Sequence, residues 1–284
     1  MDTYSRGDLT FDVLDEGPPG GAVVVLLHGF PQQNTSWNTV IPRLTEEGYR
    51  CLAPNQRGYS RTARPRGRWN YRMSELVADV CALIDASGAT RVHLVGHDWG
   101  AAVAWVVAAS APERLATLTA LSVPHPAGFQ KAVVTSRQGL ASWYMFFFQL
   151  PRIPERVLLG RDGMAAGLRW LVQSKWQQTS AFADRDIAAM TEPGALTAAF
   201  NWYRAIPFQD VRRSGEKIIV PTMFVWSDGD VPIVQQGVHH CARYVTGEYR
   251  FETLHDVGHF MLEQKPDAVA DLLLDWISAH PVSA

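Results

Sequence analysis

Cysteine is scarce in this chain: Cys51, Cys81 and Cys241 are three in 284 residues, odd in number and outside any C-x-x-C spacing. Neither a disulfide framework nor a spaced zinc site is expected from such a set. Charge is low and balanced, with 26 Lys+Arg against 28 Asp+Glu for a net of −2. Nothing in that balance draws the whole molecule to nucleic acid or to an anionic membrane. No apolar run approaches the roughly 18 residues that cross a bilayer. The polar start Met1–Arg6 leads into no signal-type stretch. What the chain does have is hydrophobic content, 47% against 19% charged, enough for a sizeable core and too much for disorder. A soluble, cytoplasmic, globular protein is expected.

Ala22–Leu27 is a continuous apolar run rich in β-branched residues, as in a strand buried on both faces. Ahead of it, Asp8–Leu14 alternates loosely and gives way to the Gly/Pro-rich Glu16–Gly21, as at a hairpin-like edge. Helical spacing over Trp37–Glu47 and an extended Tyr49–Pro54 follow. Residues 74–87 then place Leu76, Val77, Val80, Leu83 and Ile84 on one helix face, with Gly88 as the stop. Arg91–Val95 reads as strand, Trp99–Ala108 as helix and Leu115–Val123 as strand. Such alternation predicts an α/β fold with a mostly parallel central sheet flanked by helices.

After Val123 the rhythm stops. Aromatic and helical stretches at Ser142–Gln149, Met164–Lys175, Ile187–Met190 and Ala195–Tyr203 contain no convincing strand. It resumes with a strand over Lys217–Trp226, a helix over Val234–Val245 and a strand over Tyr249–Leu254. A closing helix has Pro266 near its start and Val269, Leu272, Leu273, Trp276 and Ile277 on one face. The expected organisation is a core domain of residues 1–123 and 216–284, with residues 124–215 inserted as a helical cap domain. Six arginines lie between Arg57 and Arg72, interleaved with Tyr59, Trp69 and Tyr71. Such a cluster can bind phosphates, but with no nucleic-acid fold signature beside it a solvated, turn-rich loop is expected.

The chemistry concentrates in Arg91–Gly100, a strand followed by Gly96-His97-Asp98-Trp99-Gly100 and a small-residue helix. This is a nucleophile elbow with aspartate where an esterase carries serine. Glycines on either side allow the sharp turn, because a side chain there collides with the neighbouring strand or helix. The turn lifts Asp98 to a helix N-terminus, whose partial positive charge favours an anion. His28-Gly29-Phe30-Pro31 ends an earlier strand, so the backbone N–H groups of Phe30 and Trp99 can converge on one oxygen. Past the insertion, Ser227-Asp228-Gly229-Asp230 supplies acids and Gly258-His259 a histidine. Nucleophile, acid, histidine is the chain order of this kind of site. His259 is the expected base, with Asp230 preferred to Asp228 as its orienting acid. Adjacent residues on a helix point about 100° apart, so His239-His240-Cys241 is not expected to gather a metal.

Together His28-Gly-Phe-Pro31, Gly96-His-Asp-Trp-Gly100, Asp230 and Gly258-His259 resemble the epoxide hydrolase branch of the α/β-hydrolase superfamily, over essentially the whole chain. The resemblance implies the α/β-hydrolase fold, a small-molecule epoxide substrate, and neither cofactor nor metal. It also implies two cap tyrosines that hold the epoxide oxygen. Ser142-Trp-Tyr144 and Asn201-Trp-Tyr203-Arg204 are similar to those two motifs, so the role passes to Tyr144 and Tyr203. A cis bond at Phe30–Pro31 is implied too. Asn55 departs from the aspartate that relatives often carry there and lies off the expected reaction path. Under this reading Asp98 attacks the ring to form an alkyl ester, and His259 activates the water that hydrolyses it.

Haloalkane dehalogenases share the aspartate nucleophile and the following tryptophan and are the alternative. Halide release needs N–H donors, and residue 30 is Phe rather than a polar donor. Fluoroacetate-type dehalogenases place arginines after the nucleophile, where this chain has Trp99 and Ala102. A serine esterase is excluded at residue 98 itself. A non-catalytic binding module leaves the complete set of catalytic residue types without purpose. Phe30, Trp99, Phe147 and Trp202 suggest an apolar pocket for lipophilic or aryl epoxides.

Overall fold

A computed structural model of the chain describes residues 1–160, 164–209 and 215–282. Eight strands form one sheet: β1 Thr3–Arg6, β2 Leu9–Glu16, β3 Val23–Leu27, β4 Arg50–Pro54, β5 Val92–His97, β6 Leu115–Leu121, β7 Thr222–Ser227 and β8 Tyr249–Leu254. Their order is β1-β2-β4-β3-β5-β6-β7-β8. β1 and β2 form an antiparallel edge on β4, and every pairing from β4 to β8 is parallel. The mostly parallel sheet read from the alternation is therefore the observed one.

Burial of both sheet faces follows from the pleat. In β3, Val23, Val25 and Leu27 join the core on one face, with Leu94, Leu118 and Phe224 of neighbouring strands. Val24 and Leu26 join the other, with Val95, Met223 and Val225. The first face is covered by α2 (Met73–Ser87) and α3 (Trp99–Ser110), the second by α1 (Ile41–Glu46) and, at the chain's end, the long helix Pro266–Ser278. The helix predicted over Trp37–Glu47 divides into a 3₁₀ turn, Asn34–Thr39, and α1. Gly88 stops α2 in the left-handed conformation at φ 78°.

Between β6 and β7 the described residues form no strand, and the α-helices there are α4 Pro126–Thr135, α5 Gln138–Ala141, α6 Trp143–Phe147, α7 Ile153–Leu159, α8 Ala166–Arg169, α9 Ser180–Thr191 and α10 Ala195–Arg204. The helix predicted over Met164–Lys175 is α8 continued by a π turn, Trp170–Lys175, closed by Trp176 N–H on the Leu171 carbonyl at 3.1 Å. The extra residue of that turn swings Trp176 inward against Phe30 and Tyr144.

Two expectations need correction. The helix over Val234–Val245 is instead α11, Gln235–Val238, and a separate 3₁₀ turn, Cys241–Tyr244. Packing against α4 breaks it, because Cys241 turns inward and accepts the His125 N–H at 3.1 Å. The strand over Lys217–Trp226 begins only at Thr222; Pro221 has no N–H for a ladder, and Ile218 makes an isolated bridge to Val245. α12 (Met261–Gln264) and α13, the Pro266–Ser278 helix, complete the chain's helices among the described residues.

Of the arginine cluster, Arg61, Arg66 and Arg68 are exposed as expected, while Arg57, Arg64 and Arg72 are buried or half-buried. Arg57 is 3% exposed and forks onto Asp79, Nε to Oδ2 at 2.6 Å and Nη2 to Oδ1 at 2.7 Å. Arg6 reaches the same carboxylate at 2.9 Å, and Arg64 donates to the Gly58 and Tyr59 carbonyls and to Glu192. The loop is built around internal acceptors. Asp79→Asn leaves the Arg57 guanidinium buried without its main counter-charge, an expected loss of about 3–5 kcal/mol read by chemical denaturation.

Candidate active site

Asp98 sits at φ 52°, ψ −118°, a strained backbone for a non-glycine residue. The elbow is held by close approach on both sides: a Cβ at Gly96 would overlap the Gly100 backbone, and one at Gly100 would overlap the Leu27 carbonyl of β3. Asp98 is thereby pinned over the sheet at the first turn of α3. Its Oδ1 accepts the Phe30 N–H at 2.8 Å, and the Trp99 N–H also hydrogen-bonds the carboxylate. Burial pushes the Asp98 carboxyl above its usual range, while His259 and these two N–H groups pull it partway back. The Phe30–Pro31 bond is cis.

His259 Nε2 lies 3.6 Å from Asp98 Oδ2, beyond a direct hydrogen bond. Its Nδ1 faces Asp230, 3.1 Å from Oδ2 and 3.2 Å from Oδ1. Burial alone depresses the His259 imidazole, but the charge and hydrogen bond of Asp230, with Asp98 behind them, raise it above its ordinary value. Asp230 is fixed in turn by the Ile233 N–H at 2.9 Å and the Ser122 hydroxyl at 2.7 Å. Asp228 is exposed and pairs with His255 at 2.8 Å, away from His259.

Ser122 was not legible in the sequence. It follows β6, has φ 70°, and lies between the strand bearing Asp98 and the strand leading to Asp230. Only the strand order β5-β6-β7 puts that position within reach of both Asp230 and His259.

Tyr144 of α6 and Tyr203 of α10 reach the same cavity as Asp98. Their ring centroids are 6.1 Å apart, and Tyr203 stands edge-on to Trp99 at 5.0 Å. Burial, reinforced by the Asp98 charge, raises both phenols well above their usual range, so both stay protonated. The cavity encloses about 970 Å³, at the upper end for small-molecule pockets. Of the four aromatics expected to line it, only Trp99 does. Phe30 packs among Phe148, Trp176, Phe200 and Tyr203 and offers the site its backbone alone. Trp202 is buried, its indole N–H donating to the Arg57 carbonyl at 2.8 Å. Phe147 packs against Trp143 and Phe148.

A family model described as the alpha/beta hydrolase fold matches residues 22–266. The chain is 33% identical over 282 residues to the AB hydrolase superfamily protein YfhM of Bacillus subtilis, covering 95% of this chain and 94% of the relative. It is 31% identical over 307 residues to epoxide hydrolase A of Mycobacterium tuberculosis, covering 94% and 93%. Among solved structures, epoxide hydrolase A from Mycobacterium thermoresistibile superposes with a TM-score of 0.83 at 26% identity, over 99% of this chain and 98% of that one.

Behind the site runs a buried polar chain that the sequence did not announce. His97 lies between two oxygens, the His259 carbonyl at 2.8 Å and Gln32 Oε1 at 3.1 Å. Burial lowers its pKa to about 3, so the ring carries one N–H and hydrogen-bonds one oxygen at a time. The Gln32 amide donates to both Glu263 oxygens at 2.7 Å, and Arg185 of α9 pairs with Glu263 at 2.8 Å. The segment between β6 and β7 is thus tied to the loop carrying His259. Gln32→Leu strips Glu263 of the Gln32 amide and should cost about 1–3 kcal/mol in chemical denaturation.

Proposed function

We propose that this chain, which belongs to the epoxide hydrolase branch of the α/β-hydrolase superfamily, opens an epoxide to a vicinal diol through a covalent ester on Asp98. The observation that carries the reading is a buried carboxylate sharing one apolar cavity with two protonated phenols. Residues 124–215 act as the cap that supplies those phenols. Asp98 Oδ1 is held by the Phe30 N–H, which leaves Oδ2 to attack a ring carbon. The ring C–O bond breaks as the oxygen, clamped by Tyr144 and Tyr203, takes a proton from one phenol. A poor alkoxide leaving group requires that donor. A halide does not, and position 30 offers only its backbone N–H, so the dehalogenase alternative gains no support here.

In the second half-reaction His259, oriented by Asp230, takes a proton from water as the hydroxide adds to the Asp98 ester carbon. The Phe30 and Trp99 N–H groups stabilise the resulting oxyanion. As the acyl–oxygen bond breaks, the departing alkoxide takes the proton held by His259 and leaves as the diol. The Asp98 carboxylic acid gives up its proton to restore the phenol spent in ring opening. Ser122 holds Asp230 in the orientation that faces His259.

His259→Gln should alkylate but not turn over, giving enzyme plus epoxide by intact mass; absence of the adduct counts against Asp98. Changing Tyr144 or Tyr203 to Phe should cost about 10²–10³ in ring opening, and the double change should abolish it in a burst assay.

The pH dependence follows from the raised His259 pKa. Only the neutral ring accepts the proton, so ester hydrolysis falls as pH drops through the His259 midpoint, which Asp230 holds up and which lies below that of the resting enzyme because esterification removes the Asp98 charge. Asp230→Asn removes the main raising influence, moving that midpoint down and slowing hydrolysis by about 10⁴. Single-turnover decay of the alkyl-enzyme across pH measures both.

A further inference from the structure

The cavity extends far beyond the volume that a strained three-membered ring and its catalytic partners occupy. From Asp98 it continues over Trp99, Ala102, Val106 and Ser110, the successive residues of one face of α3. These positions are half-buried, whereas most of the rest of α3 is fully buried. Eleven helical steps from residue 99 to residue 110 span about 16 Å, room for a straight chain of about a dozen carbons. Val77 of α2 and Phe129 of α4 also line the cleft. Asp98 and Arg72 are the only described lining residues that carry charge. The Arg72 guanidinium is already engaged, donating to the Trp69 carbonyl at 2.9 Å, lying over the Trp69 ring and approaching Glu75 at 4.0 Å.

We propose that this cleft seats the unbranched hydrocarbon tail of a long, uncharged terminal epoxide, with the ring at Asp98 and the tail laid along α3 towards Ser110. The assignment rests on the epoxide hydrolase reading of Asp98 and narrows it to a substrate class. Val106 and Ser110 become length-determining positions, because a bulky side chain at either interrupts the cleft at a known distance from the nucleophile. With the tail along α3, the ring lies near the chain's end.

The experiment is a series of neutral 1,2-epoxyalkanes from four to sixteen carbons, assayed below their aggregation limits on the whole protein. kcat/KM should rise about two- to fourfold per added methylene and level off near the length of the α3 face. Val106→Trp should bring the plateau several carbons earlier and Ser110→Trp fewer, an ordering that general damage to the fold does not produce. A rise that ignores both substitutions overturns the assignment, as does a flat series in which short epoxides react normally. A carboxylate at the far end of a long substrate should bring no gain; a tenfold preference for it would falsify the uncharged tail. If no epoxide of any length alkylates Asp98, the failure lies in the reading of the site, and intact mass of His259→Gln separates the two results.

Discussion

A carboxylate removed from water is unstable as an anion unless fixed dipoles replace the lost solvation, and Asp98 is placed where the fold supplies them. The Phe30 and Trp99 N–H groups hydrogen-bond it and the first turn of α3 points at it. Both amides are tied to strand ends, so their positions are inherited from the sheet rather than from flexible side chains. The same two groups solvate the resting carboxylate and, in the proposed reaction, the oxyanion derived from it. Burial raising the carboxyl pKa and the amides opposing it are two sides of one arrangement.

The remaining parts follow from the direction of the strands. β3, β5, β6, β7 and β8 run parallel as neighbours, so their carboxyl ends lie along one edge. That edge delivers Phe30, Asp98, Ser122, Asp230 and His259 in spatial order, each within a few residues of a strand end. A crevice at the carboxyl ends is where open parallel sheets hold their ligands. The helices between β6 and β7 add what strand ends cannot, two phenols approaching from outside the sheet. Arg185 on Glu263 and Glu192 on Arg64 fasten that segment to the rest of the chain.

Residues whose chemistry is local were legible in the sequence. The elbow glycines, Asp98 and the histidine before the last helices each carry a short pattern whose physical reason lies within a few neighbours. Ser122, Gln32 and Glu263 carry none, because their partners stand 65 to 231 residues away. The aromatic lining was misjudged for a related reason: spacing gives the face of a helix but not which packed neighbour covers it, and Phe30 and Trp202 are covered from several elements at once. The interrupted helix after Val234 failed on packing against α4, which no local propensity reports. Pro126 and Pro154 stand at the first turns of α4 and α7, a helix-start signal that the sequence does contain.

α3 shows why so much rests on small residues. Its N-terminus serves Asp98, one side packs against β3 and β5 through Gly100, Ala101 and Ala104, and the opposite stripe floors the cleft. A large side chain on the sheet side would lift the helix and carry the Trp99 N–H away from the carboxylate. A large side chain on the cleft side would leave that N–H in place and obstruct only the cavity. The two faces are therefore constrained for different reasons: the first by solvation of an anion, the second by the shape of whatever lies beside it. Substrate range can consequently change along Ala102, Val106 and Ser110 without disturbing the electrostatics at residue 98, which separates the reaction from the choice of molecule it acts upon.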